Sequence, residues 1–245
     1  MVRLATADEP AVVCLQEVPA WALDELAGWS GMQAFGDVAA RPAVGPIPST
    51  AKLGGIITSL NHGLLRSAFS GQANAILARA DLRAIERRKI VLNPRAFRRA
   101  QARWLGLGIV ARLAWAKERR ICQTVRFALP DARTAVVANL HGTAYRPDDR
   151  LADAELLRAA TFADGLAGPQ ELCVLAGDLN VSPARSRTLA ELTQPEWGFS
   201  APAPGIDHVL VRGAFSGVPQ VWPRERRRVQ GRLLSDHAPV EVRIE

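Results

Sequence analysis

The sequence predicts an α/β protein in which helices lie outside packed β-sheets. Short apolar runs of the kind that form buried strands recur along the 245 residues. The segment at residues 150–166 instead places its apolar side chains near helical spacing. Because strand pairs alternate with single helices along the chain, the order of elements fits helices packed against sheets.

The first half of the chain begins with strand and helix signals and ends in a basic helical stretch. Proline and glycine interrupt the segment near residue 45, so a loop is expected there. The basic stretch carries Trp104 and Trp115 among its arginines. The expected elements are a strand at 11–16, a short helix at 20–30, a loop at 40–50, a strand at 73–78 and a helical stretch at 97–120.

The second half of the chain alternates strands with its clearest helix. A turn at Pro130-Asp131 separates the first two strands, and a turn at Gly168-Pro169 ends the helix. The expected elements are strands at 121–129 and 134–140, the helix at 150–166, and strands at 172–176, 206–212 and 238–244.

Composition argues against a membrane-spanning or disulfide-rich protein. No run approaches the ~20 apolar residues of a membrane span, and the first residues reach Asp8 and Glu9 without the apolar core of a signal peptide. Cys14, Cys122 and Cys173 lie in strand-like runs without zinc-site spacing, so buried free thiols are expected. We therefore expect a cytoplasmic monomer without stable membrane insertion.

The chain is basic, with a net charge of +7. Such a charge favours a polyanionic partner, either nucleic acid or a lipid surface. However, 28 of the 31 basic residues are arginine in an Ala-rich chain, which codon bias also explains. The basic stretch at 97–120 is compatible with the same two partners, because it could track a nucleic-acid backbone or lie on a membrane. A helix that covers a sheet while its arginines stay solvated is the interpretation we favour.

Two strand-like segments of the first 145 residues carry candidate functional side chains. Glu17 ends the first strand, where a carboxylate can bind a hard cation or can simply be exposed. Asn139 and His141 are two residues apart on a strand and therefore share one face. A histidine at this position can donate to a phosphoryl oxygen, or it can be structural.

Three later segments carry the remaining candidates. Asp178 and Asn180 follow a buried strand and Gly177, which leaves room for a close approach of ligand or backbone. An aspartate there can activate water or bind metal, although a plain turn is the simpler interpretation. Asp207 is expected to orient a catalytic histidine, whereas its neighbour His208 faces the opposite side of the strand and is expected to be structural.

The last segment contains Ser235, Asp236 and His237. His237 is a natural general base because the unperturbed pKa of histidine lies near neutrality. Asp236 beside it is suited to metal binding or to electrostatic support. Ser235 is expected to cap the turn, since the chain has no Gly-x-Ser-x-Gly elbow.

Taken in order, these motifs resemble those of the endonuclease/exonuclease/phosphatase family. They are Leu-Gln-Glu at 15–17, Asn-Leu-His at 139–141, Gly-Asp-Leu-Asn at 177–180, Ile-Asp-His-Val-Leu at 206–210 and Ser-Asp-His-Ala-Pro-Val at 235–240. The segment at 71–77 also resembles a strand of that family. The similarity extends over residues 11–244, and five motifs in order are far more specific than any one of them.

The resemblance implies a four-layer α/β sandwich, with two packed mixed β-sheets flanked by helices. It also implies a divalent metal, Mg²⁺ or Mn²⁺, held by Glu17 together with Asp178, Asn180 and Asp236. His141 would contact the scissile phosphate, and Asp178 and Asn180 would position water or metal. Asp207 would pair with His237, and Asp178 and His237 jointly would activate water.

One departure from the family concerns the start of the chain. Family members begin with a strand that ends in an asparagine, well before the Leu-Gln-Glu motif, whereas only 16 residues precede Glu17 here. We therefore expect one domain over residues 1–245 that lacks this N-terminal strand. A signal peptide could have been lost with it.

Three functions follow from these expectations. The first is a divalent-metal-dependent phosphoester hydrolase, namely a phosphodiesterase or nuclease that cleaves nucleic acid. The second is a phosphatase or phosphodiesterase that acts on a phospholipid or inositol phosphate. The third is a catalytically impaired nucleic-acid-binding protein, which the missing asparagine favours and the otherwise complete set of site residues disfavours.

Overall fold

The structure, a computed structural model, describes residues 1–40, 43–44, 47–48 and 72–245. Contacts within the chain divide it into two compact units, Val2–Leu82 and Arg83–Glu245. The single domain expected over residues 1–245 stays a prediction. Each unit has its own β-sheet with helices, so the predicted α/β class is confirmed.

The N-terminal unit contains a three-stranded antiparallel sheet of order β1-β5-β2. The central strand β5 (Gln72–Ala78) is buried along its whole length, and its buried side chains include the polar residues Gln72 and Asn74 beside five apolar ones. The strands are β1 (Val12–Val18), β2 (Gln33–Ala40) and β5 (Gln72–Ala78); the helices are α1 (Val2–Ala5), a 3-10 helix (Ala20–Glu25) and α2 (Leu26–Ser30). The strands expected at 11–16 and 73–78 and the helix expected at 20–30 are therefore confirmed.

The segment expected to be a loop at 40–50 contains two very short strands. These strands, β3 (Ala43–Val44) and β4 (Ile47–Pro48), pair antiparallel. The loop prediction is wrong for these four residues, because they pair with each other as strands. Residues 41–42, 45–46 and 49–50 lie outside the described residues.

The C-terminal unit contains a five-stranded sheet of order β10-β9-β8-β7-β6, in which only β8 and β9 run parallel. A parallel pair needs a crossover, which the long helix between β8 and β9 provides. The strands are β6 (Arg83–Val91), β7 (Ile121–Ala128), β8 (Thr134–His141), β9 (Leu172–Asp178) and β10 (Asp207–Arg212). The helices are α3 (Arg95–Trp104), α4 (Ile109–Lys117), α5 (Arg150–Leu166) and α6 (Arg187–Leu192).

The core of this unit lies between the sheet and helix α5. Leu140 on β8 and Leu175 on β9 pack with Leu156 of α5, and all three side chains are fully buried. The helix occupies the predicted residues 150–166 because its apolar positions repeat at helical spacing. Among the described residues, no helix is both long and apolar enough to cross a membrane.

Two elements of this unit differ from prediction in extent. The basic stretch at 97–120 is two helices, because Gly106 adopts a left-handed φ of 63° and breaks the helix after Trp104. The strand expected at 238–244 is reduced to β14 (Val240–Glu241), since Pro239 has no N–H to extend the ladder. It pairs with β11 (Gln220–Val221), while β12 (Arg228–Val229) and β13 (Arg232–Leu233) form a separate hairpin.

Candidate active site

Three neighbouring strands of the five-stranded sheet bring three of the predicted site residues side by side. His141 ends β8, Asp178 ends the parallel strand β9, and Asp207 begins the antiparallel strand β10. The Cα atoms of His141 and Asp207 are both direct register partners of Asp178. The topology therefore places residues that are far apart in sequence at one edge of the sheet.

His237 joins this group from the last segment of the chain. Its Nδ1 lies 3.0 Å from Oδ2 and 3.1 Å from Oδ1 of Asp207. The same nitrogen lies 3.8 Å from Oδ2 of Asp178. Nε2 of His141 lies 3.5 Å from that same oxygen. His237 is the most exposed of these side chains, at 44 %, so the group opens to solvent on its side.

Arg120, which the sequence analysis did not select, is the buried cation of this group. Its Nη1 lies 2.8 Å from Nδ1 and 3.2 Å from Nε2 of His141. Its Nη2 lies 2.6 Å from Oε2 of Glu118. The residue is only 5 % exposed, and among the described residues its buried Nε has no hydrogen-bond partner. The guanidinium is therefore held by His141 and Glu118, and its Nε–H is shielded from solvent.

Asn180 and Gly142 join the loops that follow β8 and β9. Asn180 donates its side-chain N–H to the carbonyl of Gly142 at 3.0 Å, and its backbone N–H to Oδ1 of Asp178 at 3.1 Å. The backbone N–H of Gly142 in turn donates to the carbonyl of Asp178 at 2.8 Å. Asn180 has a φ of 52°, a left-handed conformation that asparagine adopts more readily than other residues except glycine.

Arg227 holds the segment that presents His237. Its Nη1 donates to the backbone carbonyls of Ser235, Asp236 and His237 at 3.1, 3.3 and 2.9 Å. The hydroxyl of Ser235 accepts from the backbone N–H of His237 at 3.2 Å, which fits the predicted turn cap. Asp236 is exposed, and it contributes to the raised pKa of His237 by its negative charge.

His208 is buried away from this group, as predicted for a structural residue. Its Nε2 lies 2.9 Å from the carbonyl of Val181. Within the described part of the chain, its Nδ1 is buried without a hydrogen-bond partner. The ring is therefore suited to the neutral tautomer that donates from Nε2.

The two histidines of the group have pKa values that are shifted in opposite directions. Burial, followed by the positive charge of Arg120, holds the pKa of His141 well below its ordinary value. The hydrogen bond to Asp207 raises the pKa of His237 to about 9. Burial and the nearby charge of Asp207 raise the pKa of Asp178 to about 6. His141 is thus a neutral hydrogen-bonding group, His237 an acid, and Asp178 a carboxylate that can accept a proton.

The described residues contain one group suited to a metal ion, formed by Asp178, Asp207 and His237. One ligand atom of each lies within 4.8 Å of the others. Two carboxylates at this separation offer the hard oxygen donors that Mg²⁺ or Mn²⁺ prefers, and a cation would relieve the repulsion that raises the pKa of Asp178. The group shares only Asp178 with the predicted metal ligands Glu17, Asp178, Asn180 and Asp236.

Glu17 lies in the N-terminal unit, at an irregularity in the pairing of β1 with β5. The register shifts between Leu15 and Val18, and Glu17 has a left-handed φ of 54°. A bulge of this kind turns a side chain away from the regular strand direction. Its role as a metal ligand stays a prediction.

Glu155 of helix α5 is a further residue that the sequence analysis missed. Its fully buried carboxylate accepts from Trp115 Nε1 at 2.7 Å, and from the backbone and hydroxyl of Thr143 at 2.7 and 2.8 Å. Thr143 follows His141 by two residues, so this network fixes the loop after β8. The sequence signal was a single acidic residue on the apolar side of a helix.

Comparison with known proteins places this arrangement in a family. A search by sequence finds no match among curated proteins. Solved structures of similar fold include an endonuclease/exonuclease/phosphatase from Bacteroides vulgatus, with 15 % identity, a TM-score of 0.65 and coverage of 100 % of this chain and 88 % of that one. A mannosyl-6-phosphatase from Bacteroides thetaiotaomicron has 16 % identity, a TM-score of 0.61 and coverage of 100 % and 88 %.

A third solved structure is a humanized TDP2 from D. rerio, with 12 % identity, a TM-score of 0.60 and coverage of 100 % of this chain and 91 % of that one. At such identities these likenesses establish the fold alone. The sequence model of the Endonuclease/Exonuclease/phosphatase family matches residues 2–237. The chain therefore belongs to the Endonuclease/Exonuclease/phosphatase family, as the order of its motifs predicted.

Proposed function

We propose that this chain is a divalent-metal-dependent phosphodiesterase whose first substrate class is nucleic acid. Members of its family hydrolyse phosphoester bonds. The observation that carries the proposal is the alignment of His141, Asp178 and Asp207 across three strands, completed by His237 and Arg120. A neutral imidazole, two carboxylates, an imidazolium and a guanidinium supply the acid, base and donor groups of phosphoester hydrolysis.

Arg120 and His141 would stabilise the phosphoryl group. Since the Nε of Arg120 is buried and its Nη1 contacts His141, the guanidinium would act through its positive charge and by holding the imidazole, which would contact a phosphoryl oxygen. Its salt bridge with Glu118 holds the guanidinium in place before substrate arrives. Donors that are already oriented cost little reorganisation as negative charge develops on the phosphate.

Asp178 and His237 would move protons on the two sides of the reacting phosphorus. In the absence of a cation, the pKa of Asp178 is about 6, so this carboxylate would accept the proton of the attacking water near neutral pH. His237 would donate toward the leaving oxygen, with Asp207 fixing its orientation through Nδ1. Asn180 would hold the two loops around the substrate through its bond to Gly142.

The carboxylates of Asp178 and Asp207 fit a divalent cation, and Glu17, Asn180 and Asp236 are the further ligands we propose from the family motifs. When bound, Mg²⁺ or Mn²⁺ would neutralise phosphate charge and lower the pKa of water. The presence of Glu17, His141, Asp178, Asn180, Asp207 and His237 disfavours a catalytically impaired binding protein.

One observation supports a second substrate class. Helix α4 exposes large aliphatic side chains between basic residues, which fits a phospholipid better than a nucleic acid. A phosphodiesterase or phosphatase that acts on a phospholipid or inositol phosphate is therefore the second candidate.

A substrate screen tests the proposal. The purified chain with Mg²⁺ or Mn²⁺ would be incubated with DNA, RNA, bis-p-nitrophenyl phosphate, phospholipid and inositol phosphates, each with and without excess chelator. We expect diester hydrolysis that chelator abolishes, that Mg²⁺ or Mn²⁺ restores and that His237→Ala removes. Full activity in chelator would contradict the metal requirement, and activity retained in His237→Ala would contradict the assignment of the site.

A further inference from the structure

Helices α3 and α4 present an exposed apolar surface that lies outside the candidate active site. Trp104 at the end of α3 is 81 % exposed, and the side chains of Ile109, Val110 and Leu113 on α4 are 75, 71 and 67 % exposed. We call these four residues the apolar face of the α3–α4 hairpin. Singly exposed apolar residues are ordinary, but a group of four on one helical hairpin indicates an interaction surface.

The hairpin is firmly attached to the rest of its unit. Leu107, Ala111 and Trp115 are buried in one cluster with Leu151 of α5. The indole of Trp115 donates to Glu155 at 2.7 Å, and Arg150 donates to the carbonyl of Leu105 at 2.9 Å. Because one side of the hairpin is fixed in this way, the apolar face is directed outward by the fold.

The charges on the hairpin itself are almost entirely positive. Glu118 is the only acidic residue between positions 92 and 120, and it forms an ion pair with Arg120. The exposed basic residues of this stretch are Arg95, Arg99, Arg103, Arg112, Lys117 and Arg119. A surface with apolar side chains and unopposed cations complements a bilayer of anionic lipids, which offers both negative charge and an apolar interior.

Nucleic acid is a poorer match for the same surface. Binding to single strands relies on aromatic rings on which bases stack. Three of the four apolar residues, Ile109, Val110 and Leu113, are aliphatic and have no ring. Trp104 by itself fits the interfacial position that tryptophan prefers in membranes.

We propose that the α3–α4 hairpin docks on membrane surfaces rich in anionic phospholipid. The apolar face would enter the boundary between headgroups and acyl chains, and the surrounding arginines and Lys117 would contact lipid phosphates. Helix α4 ends only three residues before Arg120, a separation of at most about 11 Å along the chain. Docking therefore brings the candidate active site close to the membrane surface, without requiring that a lipid be the substrate.

Vesicle co-sedimentation tests this proposal in a buffer that contains chelator, so that binding is measured without hydrolysis. The protein would be mixed with vesicles of phosphatidylcholine alone or of phosphatidylcholine with phosphatidylglycerol. We expect binding to the anionic vesicles only, with an affinity that falls as salt is raised. Absence of binding to anionic vesicles at low salt would overturn the proposal.

Variants identify the surface. The triple variant I109S/V110S/L113S should lose more than about tenfold in partition to anionic vesicles, because it removes the buried apolar area. The matched control is F215S/V218S, which removes two apolar side chains that are also highly exposed but lie outside the hairpin. Unchanged binding by the triple variant, or an equal loss in the control, would overturn the assignment.

Two further measurements distinguish docking on lipid from self-association and from nucleic-acid binding. If the triple variant fails to fold by circular dichroism, W104S alone provides the same comparison. Size-exclusion chromatography would overturn the proposal if the apolar face proves to be covered by a second copy of the chain. Loss of oligonucleotide binding in the triple variant, with vesicle binding retained, would identify nucleic acid as the partner.

Hydrolysis of soluble bis-p-nitrophenyl phosphate should be unchanged in the variants, so a failure of docking is distinguishable from a failure of the proposed chemistry.

Discussion

Asp207 holds His237 through Nδ1, which lies 3.0 Å from Oδ2 and 3.1 Å from Oδ1 of the carboxylate, although 30 positions separate the two residues. The aspartate is fixed at the start of β10, whereas the histidine lies on an exposed segment. The strand thus supplies the rigid partner that a surface histidine needs to keep one orientation.

If the pair acts as a unit, each single substitution should remove most of its contribution. We expect His237→Ala and Asp207→Ala each to lower kcat by about 10²- to 10⁴-fold, the usual contribution of general acid–base catalysis. The double variant should lose far less than the product of the two losses, because the second change removes a group that is already ineffective. Steady-state kinetics on a soluble diester checks this, and multiplicative losses would show that the two residues act separately.

Arg120 offers a test of phosphate binding with a matched neighbour. Arg120→Met removes a charged hydrogen-bond donor worth about 1.5–3 kcal/mol, so kcat/KM should fall by about 10- to 150-fold. Arg119→Met removes the charge of the adjacent exposed arginine and should leave the soluble-substrate kinetics within about twofold. Arg120→Lys should recover part of the loss, since it keeps the charge but not the planar geometry.

A second measurement on Arg120→Met does not depend on activity. The charge of Arg120 contributes to the lowered pKa of His141, after burial itself. The imidazole of His141 should therefore titrate at higher pH in the variant, as followed by NMR. An unchanged His141 titration together with unchanged kinetics would indicate that Arg120 has only a structural role.

The sequence predicted those site residues that stand at the ends of strands. His141, Asp178 and Asp207 could be found because an apolar run followed or preceded by a polar residue marks a strand end, and the order of motifs matched one family. Their contact could not be read from spacing, because it depends on β8, β9 and β10 being neighbours in the sheet.

Arg120, Arg227 and Glu155 escaped prediction for a different reason. Each acts through contacts that only the fold creates, such as those of Arg120 with His141 and of Glu155 with Trp115, and in a chain with 28 arginines nothing marks one arginine as buried. The break at Gly106 within the basic stretch was also missed, although glycine is a common helix terminator. The local pattern thus identified helix and strand, whereas burial of charge was decided by the tertiary fold.

Gly142 gives a prediction about packing between the two site loops. A Cβ at this position would lie 2.4 Å from the carbonyl oxygen of Leu179, a backbone atom that cannot move without shifting the loop after β9. Gly142→Ala should therefore destabilise the protein by about 1–3 kcal/mol and lower activity, because it separates the loops that Asn180 joins. Thermal unfolding and diester hydrolysis measure both effects.

The control for this change is Gly165→Ala in helix α5. A Cβ there would meet nothing within 4 Å. Alanine should stabilise the helix by about 0.5–1 kcal/mol with no effect on activity. If Gly142→Ala proved as well tolerated as Gly165→Ala, the close approach of the two loops would not constrain the site.

The buried ring of His208 leads to a prediction about how the free energy of unfolding depends on pH. Burial lowers its pKa from the ordinary value of 6.5, because the protonated ring would hold its charge away from water; the backbone hydrogen bonds of Val181 and Gly205 and the charge of Asp207 oppose this shift without cancelling it. Below pH 6.5 the unfolded chain takes up this proton and the folded chain resists it. The unfolded state then binds more protons, so the stability contributed by neutral His208 is present above pH 6.5 and is lost as pH falls.

The variant His208→Gln keeps an N–H that can donate to the carbonyl of Val181 but has no proton to gain. Urea unfolding in chelator between pH 7.5 and pH 5, a range chosen to bracket the ordinary histidine pKa of about 6.5, should show a steeper fall in the free energy of unfolding for the wild-type chain than for the variant. His141 is present in both proteins, so its own titration cancels in the comparison. Parallel pH profiles would mean that the folded state accommodates protonated His208, and that Nδ1 finds an acceptor on protonation.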